Sequence, residues 1–298
     1  MNNYKPLISI LIASYNAADY IEETLNSCVN QTYKNIEIII SDDHSTDDSL
    51  EKIHKWKSSN DIVRPDIRCV IIASSVNNGI TVNFDNALQQ AKGDWIKCLG
   101  SDDILTPFAL EKFVENISKN QKYLDTGAVF TSFETFGKTV SKSSIYPLAW
   151  TKMVINSKSS YLKKQFAMIH FNNVAPGAFI NKRFIDCFDT SYKMLEDLPF
   201  WLKLIEQGAG TLLFNFTSVK YRIHNQQITS NTNHKLNNIL LADLNKVNDF
   251  RRANHYYLAF LHHKFNLYCS SKRSIYYKYL KIINPINLAI RLFETIKK

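Results

Sequence analysis

Along the first 120 residues, short and nearly unbroken apolar runs alternate with segments whose apolar positions recur every three or four residues. The runs are Leu7 to Ala13, Ile36 to Ile40, Ile67 to Ala73 and Trp95 to Leu99. Each is too continuous for a strand with one wet face, so each predicts a strand buried on both sides. Between them, residues 18–30 place Ile21, Leu25, Cys28 and Val29 on one helical face, and Ile80, Phe84, Ala87, Leu88 and Ala91 form a second stripe. Ser45 predicts the cap of a helix running to about Lys57, and Thr106 with Pro107 behind it predicts another helix start. This alternation predicts an α/β fold with a mostly parallel sheet flanked by helices.

Beyond Gly127 the pattern changes. Ala128 to Phe133 reads as a further strand, whereas residues 137–165 are polar, without a strong period, and predict a surface excursion such as a mobile lid or acceptor loop. Val174 to Ile180 is apolar around a Pro176-Gly177 turn, Leu198 to Ile205 is helical and ends at Gly208, and Leu212 to Ile223 is strand-like and leads to His224. From Asn238 onward the pattern is helical and interrupted at Pro285. The expected organisation is one large domain over residues 1–230 and a C-terminal helical, basic, amphipathic extension over 231–298.

Composition narrows the classes. The 298 residues are 45% hydrophobic, and the five cysteines are scattered with no CxxC and no Cys/His cluster. Neither a zinc site nor a disulfide framework is indicated, and a reducing compartment is expected. The first apolar run is seven residues long and no run approaches the roughly 18 of a spanning helix. The expectation is a cytoplasmic protein, or one lying on a membrane without crossing it. The net charge is +9, and from Lys264 onward eight Lys or Arg face the single acid Glu294, so the basicity belongs to the tail.

Three acidic pairs fall at the ends of predicted strands or the start of a predicted helix: Asp42-Asp43, Asp102-Asp103 and Glu196-Asp197. The first two follow parallel strands, so the sheet should bring both to one edge, where open α/β sheets bind ligands. One carboxylate there can accept a base N–H, and another can hold a divalent cation that binds phosphate oxygens. Strand alternation predicts that Asp102 and Asp103 point to opposite faces and do separate jobs, with Asp103 on the metal and Asp102 on a sugar hydroxyl. Ala13-Ser14-Tyr15-Asn16 ends the first strand at the same edge, and Tyr15 offers a ring for a base to stack on. Taken alone, an Asp-Asp pair also fits a solvated turn, Tyr15 fits strand-end packing, and Asp197 with Pro199 behind it fits a helix N-cap. No GxGxxG and no GxxxxGK[ST] motif occurs, which counts against dinucleotide enzymes and P-loop NTPases.

The ordered set of motifs resembles family 2 glycosyltransferases. It comprises Pro6 to Asn16, Gln31-Thr32-Tyr33, Ser41 to Asp47, Asn77 to Asn86, Ala91 to Asp94, Ser101-Asp102-Asp103, Glu196-Asp197 and Tyr221 to His224. The resemblance implies a GT-A fold binding a UDP-sugar, with a bacterial O-antigen or capsule enzyme as the nearest kind. It implies that Ala13, Tyr15, Asn16 and Asp43 meet the base side of the nucleotide-sugar and that Asp102 binds ribose. It further implies that Asn86 lies near the diphosphate, that Asp103 and His224 hold Mn2+ or Mg2+, with His224 also contacting the diphosphate, and that Asp197 is the catalytic base of an inverting transfer. His44 and Asn83-Phe84 depart from the commonest family pattern. The implied partners are a UDP-sugar donor, an undecaprenyl-diphosphate-linked saccharide acceptor and the inner face of the cell membrane, with no nucleic acid. The tail from Lys272 interleaves cations with aromatic and aliphatic residues, which fits either an interfacial membrane helix or a helix packed on the domain. Two other functions fit parts of the sequence: a non-catalytic binder of nucleic acid or an anionic surface, and a nucleotidyltransferase of similar architecture.

Overall fold

The computed structural model describes residues 4–120, 123–138, 140–171, 173–224, 238–271 and 275–297. The four expected strands form: β1 (Ile8–Ser14), β2 (Ile36–Asp42), β3 (Arg68–Ala73) and β4 (Trp95–Gly100). They pair in parallel in the order β3-β2-β1-β4. Helices α1 (Ile21–Val29), α2 (Ser49–Val63) and α3 (Ile80–Gln89) make the crossovers. Ile8, Ile10 and Ile12 of β1 face the core under α1, whereas Leu11 faces the one that holds Phe84 and Leu88 of α3. The apolar runs are continuous because both faces are covered.

The sheet then becomes mixed. After the two-residue strand β5 (Ile104–Leu105) and α4 (Ala109–Ser118) comes the long β6 (Thr126–Phe136), which pairs with short β7 (Ile145–Tyr146). Helices α5 (Ala149–Asn156) and α6 (Ser160–Ile169) lead to β8 (Ala178–Asn181), which inserts antiparallel between β4 and β6. Helix α7 (Asp197–Glu206) and strand β9 (Gly210–Arg222) follow, β9 lying parallel to β6 and antiparallel to β5. Among the described residues, four helices finish the chain: α8 (Asn238–Ala253), α9 (Tyr257–Ser271), α10 (Ile275–Ile283) and α11 (Pro285–Ile296). The expected domain boundary at residue 230 lies outside the described residues.

Three local expectations are corrected. The segment 137–165 is a surface excursion only in its first part, where residues 141–145 are exposed; from Ala149 it forms α5, with Val154 and Ile155 buried in the second core, and then enters α6, which buries Ala167 and Met168. Ser45 caps nothing, because α2 starts at Ser49 and the Ser45 hydroxyl donates to Asp42 Oδ2 at 2.6 Å. Thr106 likewise stays outside α4; its hydroxyl donates to the Thr217 carbonyl on β9 at 2.9 Å, tying the start of α4 to the sheet.

The Ala91-Lys92-Gly93-Asp94 motif proves structural. Buried Glu37 accepts the amides of Lys92 and Gly93 at 2.6 and 3.1 Å, and a Cβ on Gly93 would lie 2.5 Å from Ser9 Oγ. The glycine is needed because β1 passes against its backbone. This network sits at the sheet edge opposite the acidic pairs.

Where α9 meets α6, His170, His262 and His263 gather near the buried Arg251, whose Nε donates to the Met168 carbonyl at 2.8 Å. Burial, together with the Arg251 charge, lowers His263 well below the usual histidine range; burial lowers His170 and His262 as well. The folded form therefore binds fewer protons here than the unfolded chain. Its stability should be full above about pH 6.5 and fall as pH drops below that value. Thermal unfolding from pH 7.5 to 5.5 checks this: the melting point should fall less in His263→Gln than in wild type.

Candidate active site

The C-terminal ends of β1, β2 and β4 lie side by side. Ala13 pairs with both Ser41 and Gly100, and the Asp43 N–H donates to the Ser14 carbonyl at 2.9 Å. Asp43 and the Asp102-Asp103 pair thus share one sheet edge. Between the β1–α1 and β2–α2 loops runs a set of staples. Asn16, in the left-handed region at φ 48°, accepts the Thr46 N–H at 2.8 Å, and its own N–H donates to Ser45 Oγ at 2.9 Å. Asp42 accepts the Ser45 N–H at 2.8 Å, and Asp47 accepts the Ala18 N–H at 3.1 Å. Most of the Ser41–Asp47 motif therefore shapes the loops, and the Asn16 side-chain oxygen is engaged there. Tyr15 beside it is 43% exposed.

Asp43 is buried and accepts the amides of Asn78 and Gly79, one on each oxygen, at 2.9 and 2.8 Å. Each oxygen keeps a second lone pair for a ligand N–H. Gly79 takes φ +92°, and a Cβ there would sit 2.8 Å from the Lys193 carbonyl, so a side chain is excluded. Asn86 lies half-buried on α3. One turn earlier, Asn83 reaches the site edge instead: its amide donates to the Ser14 carbonyl at 3.1 Å, and its buried Oδ1 has no partner among the described residues.

The opposite-face expectation for Asp102 and Asp103 fails. The two follow β4 in a turn closed by the Asp103 N–H on the Gly100 carbonyl at 3.2 Å, so strand alternation no longer applies. A Cβ added to Gly100 would lie 2.8 Å from Asp102 Oδ1 and 3.4 Å from Asp103 Oδ2, so both oxygens face one small space over a residue without a side chain. Helix α1 braces this turn from below: the Thr24 hydroxyl donates to the Ser101 carbonyl at 3.0 Å, and Ser27 Oγ accepts the Leu105 N–H at 3.1 Å.

The end of β9 closes the turn from the other side. The Arg222 N–H donates to Asp103 Oδ1 at 2.9 Å, its Nε donates to the Asp102 carbonyl at 2.8 Å, and its guanidinium pairs with Glu23 at 2.5 Å. That guanidinium also lies over the rings of Tyr20 and Phe136, 4.8 and 4.5 Å from their centroids. His224 puts Nε2 2.9 Å from Asp102 Oδ2 and packs against Tyr20 with ring centroids 4.8 Å apart. The structure thus joins His224 to Asp102. Arg222, Tyr20 and Glu23 received no role from sequence. The signal for Arg222 is its place two residues before His224 at the end of a strand-like run.

The carboxylates fit a hard divalent cation. Burial, then the neighbouring Asp102 charge, raises Asp103 well above the usual carboxylate range, and a cation would relieve both effects. With Asp103 Oδ1 engaged by Arg222, Asp103 Oδ2 and Asp102 Oδ1 remain as hard oxygen donors. Among the described residues no group of three or more His, Cys, Asp or Glu is arranged to hold a metal ion. A two-carboxylate set suits Mn2+ or Mg2+ whose other positions are filled by phosphate and water.

Helix α7 starts at Asp197, with Glu196 in the cap position and making no side-chain cap bond. Asp197 is therefore not the N-cap, although the N–H groups of Asp197 and Leu198 at the start of the helix still reach its carboxylate. Burial raises both acids, Glu196 to about 8 with help from the Asp197 charge. The pair also lies close to β4: their charges add to the burial that pushes the Cys98 thiol up to about 12. The backbone N–H groups of Leu198 and Asp197, and after them the buried Trp201 indole one turn on, oppose the rise at Asp197.

Comparisons with known proteins show the family and the fold. The profile of "Glycosyl transferase family 2" matches residues 9–187, which takes in the Asp43 and Asp102-Asp103 motifs. The chain is 31% identical over 227 residues to the UDP-Glc:alpha-D-GlcNAc-diphosphoundecaprenol beta-1,3-glucosyltransferase WfaP of Escherichia coli, covering 76% of this chain and 80% of that one. It is 28% identical over 239 residues to the putative teichuronic acid biosynthesis glycosyltransferase TuaG of Bacillus subtilis, covering 78% and 84%. S. aureus TarS 1–349 in complex with UDP-GlcNAc superposes with a TM-score of 0.58 at 16% identity, over 96% of this chain and 91% of that one. The mannosyltransferase PcManGT from Pyrobaculum calidifontis, in complex with GDP-Man and Mn2+, gives 0.60 at 16% identity over 99% and 87%. With a sheet edge that gathers its acids as the motifs require, this chain belongs to glycosyl transferase family 2 and has the GT-A fold.

Proposed function

We propose that this glycosyltransferase moves a hexose or N-acetylhexosamine from a UDP-sugar, with inversion, to a hydroxyl of a lipid-linked saccharide during O-antigen or capsule synthesis. The observation that carries the reading is the pair of carboxylate oxygens over Gly100, beside Asp43 on one sheet edge. In this reading Asp43 accepts the uracil N–H, while Ala13 and the exposed Tyr15 ring flank the base. Asn16 holds the loop that carries Tyr15. Asp102 accepts a ribose hydroxyl, and His224 orients Asp102 and reaches the diphosphate. Asn86 and Asn83 border the diphosphate side. Asp103 and Asp102 hold Mn2+ or Mg2+, which when bound neutralises the charge of the departing diphosphate. Asp197 takes the proton of the acceptor hydroxyl as that oxygen attacks the anomeric carbon from the face opposite the nucleotide.

The choice of UDP and of a lipid-linked acceptor is supported by WfaP, whose name gives UDP-Glc and a diphosphoundecaprenol acceptor, and by the TarS complex with UDP-GlcNAc. Such an acceptor puts the enzyme at the cytoplasmic face of the cell membrane. No helix among the described residues is long and apolar enough to cross a membrane. The test is nucleotide release from UDP-Glc, UDP-Gal, UDP-GlcNAc, UDP-GalNAc and GDP-Man, with and without Mn2+, and with and without undecaprenyl-diphosphate-linked GlcNAc. One UDP-sugar should give release that needs both metal and acceptor. Turnover of GDP-Man alone would overturn the donor reading, and diphosphate release from a nucleoside triphosphate would point to nucleotidyl transfer.

A further inference from the structure

We propose that the outer face of α9, continued by α10, is the surface through which this protein lies on an anionic lipid bilayer. The inference deepens the reading of a lipid-linked acceptor by naming the contact face, and it does not depend on the donor chemistry.

Helix α9 has two unlike sides. Ala259, His262 and Cys269 are buried toward the body, and His263 Nε2 lies 2.8 Å from the Ile169 carbonyl at the end of α6. On the other side Tyr257, Leu258, Leu261 and Tyr268 are between 51% and 63% exposed, and Phe265 joins them. Positions 257, 261, 265 and 268 recur at helical spacing, so they form one stripe. The stripe does not stop at the end of α9. The Tyr268 and Tyr277 rings are 5.7 Å apart, and Tyr277 and Tyr276 are 5.6 Å apart, which carries the aromatic surface onto α10 with exposed Tyr276 and Tyr279. An apolar face of this extent in water calls for an occupant.

Charge selects the occupant. Lys264 is exposed next to the stripe, with Nζ 5.7 Å from the Phe260 ring, and it opens the segment of eight cations against one acid. That acid is withdrawn from the surface: both Glu294 oxygens accept backbone N–H groups at the start of α5, from Ala149 and Trp150, each at 2.8 Å. A second copy of the chain would bring cation against cation. A bilayer with anionic headgroups attracts the cations, takes the Leu and Phe side chains, and seats tyrosines with their hydroxyls at the headgroup level.

The assignment moves the contact face upstream of the tail that sequence pointed to. Helix α11 is docked, through Glu294, buried Ile290 and the Phe293 ring 5.9 Å from Trp150, so truncating it would uncap α5 and blur any binding measurement. The sharper test is the full chain with Leu258→Asn, Leu261→Asn and Phe265→Asn together, all at exposed positions. Wild type should float with vesicles of 30% phosphatidylglycerol in phosphatidylcholine and bind pure phosphatidylcholine at least tenfold less. The triple variant should bind the anionic vesicles at least tenfold less than wild type, with its melting temperature unchanged. Equal flotation of variant and wild type would overturn the proposal, as would wild type ignoring the anionic vesicles. If the triple variant instead turned a dimer into a monomer by light scattering and still floated, a second copy would be the occupant and the proposal would fall. No donor or acceptor is present, so failure here leaves the donor reading untouched.

Discussion

Asp103→Asn should lose metal-dependent sugar transfer by roughly 10³-fold, the scale seen when a preorganised charge partner of a transition state is removed, and should fold as well as the parent. The geometry gives both halves of this expectation. Asp103 Oδ1 accepts the Arg222 N–H at 2.9 Å, a bond that an asparagine oxygen can keep. The other oxygen is the one that shares the space over Gly100 with Asp102, and there an amide NH2 would present hydrogens where a cation needs lone pairs. Asp103 is buried, and its charged form is disfavoured by burial and by Asp102. Removing that charge therefore relieves the folded protein, and the melting temperature without metal should stay the same or rise. Nucleotide release titrated with Mn2+, paired with thermal unfolding with and without Mn2+, separates the outcomes. Activity near wild type would remove Asp103 from the metal site. A melting temperature several degrees lower would make the residue a structural acceptor for Arg222 and nothing more.

The framework around that residue was legible because its strands carry their burial in the sequence. The runs at 7–13, 36–40, 67–73 and 95–99 are apolar on both faces, and parallel pairing then brings Asp43 and Asp103 to one edge with no further information. What misled was local hydrogen-bond competition. Ser45 and Thr106 are good capping residues by type, but Ser45 is taken by Asp42 and Asn16, and Thr106 by the β9 carbonyl at Thr217. Asp42 is only three residues from Ser45 but nothing marks it as the stronger partner, while Asn16 and Thr217 lie far beyond the reach of a local cap signal. Alternation likewise failed at Asp102-Asp103 because β4 ends at Gly100, two residues too early for the rule to apply. The stretch 137–165 hides its helices because Ser and Lys residues dilute the buried Val154 and Ile155 of α5, and the buried Ala167 and Met168 of α6 fall beyond its end. The closing strand could be seen as a strand, but its main contribution could not: Arg222 works on the acidic turn partly through its backbone N–H, to which no side-chain pattern points.

Asp197→Asn should spare donor binding and lose turnover by roughly 10²–10⁴-fold, the usual worth of a placed general base. Asp197 opens α7 without capping it, Glu196 sits beside it, and both are raised by burial, Glu196 to about 8. Two neighbouring carboxylates in such surroundings titrate as a pair and resist losing the second proton. A base must be ionised to act, so kcat should rise with pH through the raised range rather than level off near pH 5, as it would for an ordinary aspartate. Glu196→Gln then tells the two acids apart. The pair's second proton sits on Glu196, held there by burial and by the Asp197 charge, so Asp197 ionises first; the rising limb should therefore stay in place and turnover within about tenfold of wild type. Asp197→Asn should recover at no pH, because the amide cannot accept the proton. UDP binding by calorimetry in each variant completes the measurement, since loss of affinity would mean a damaged donor site rather than a missing base. The reverse pattern, with Glu196→Gln inactive and Asp197→Asn active with a shifted profile, would make Glu196 the base. Asp197 is the better candidate because the N–H groups of Asp197 and Leu198, with the nearby Trp201 indole, oppose the burial there, whereas Glu196 has only its own N–H. These donors help to hold the ionised form in a setting that otherwise opposes it.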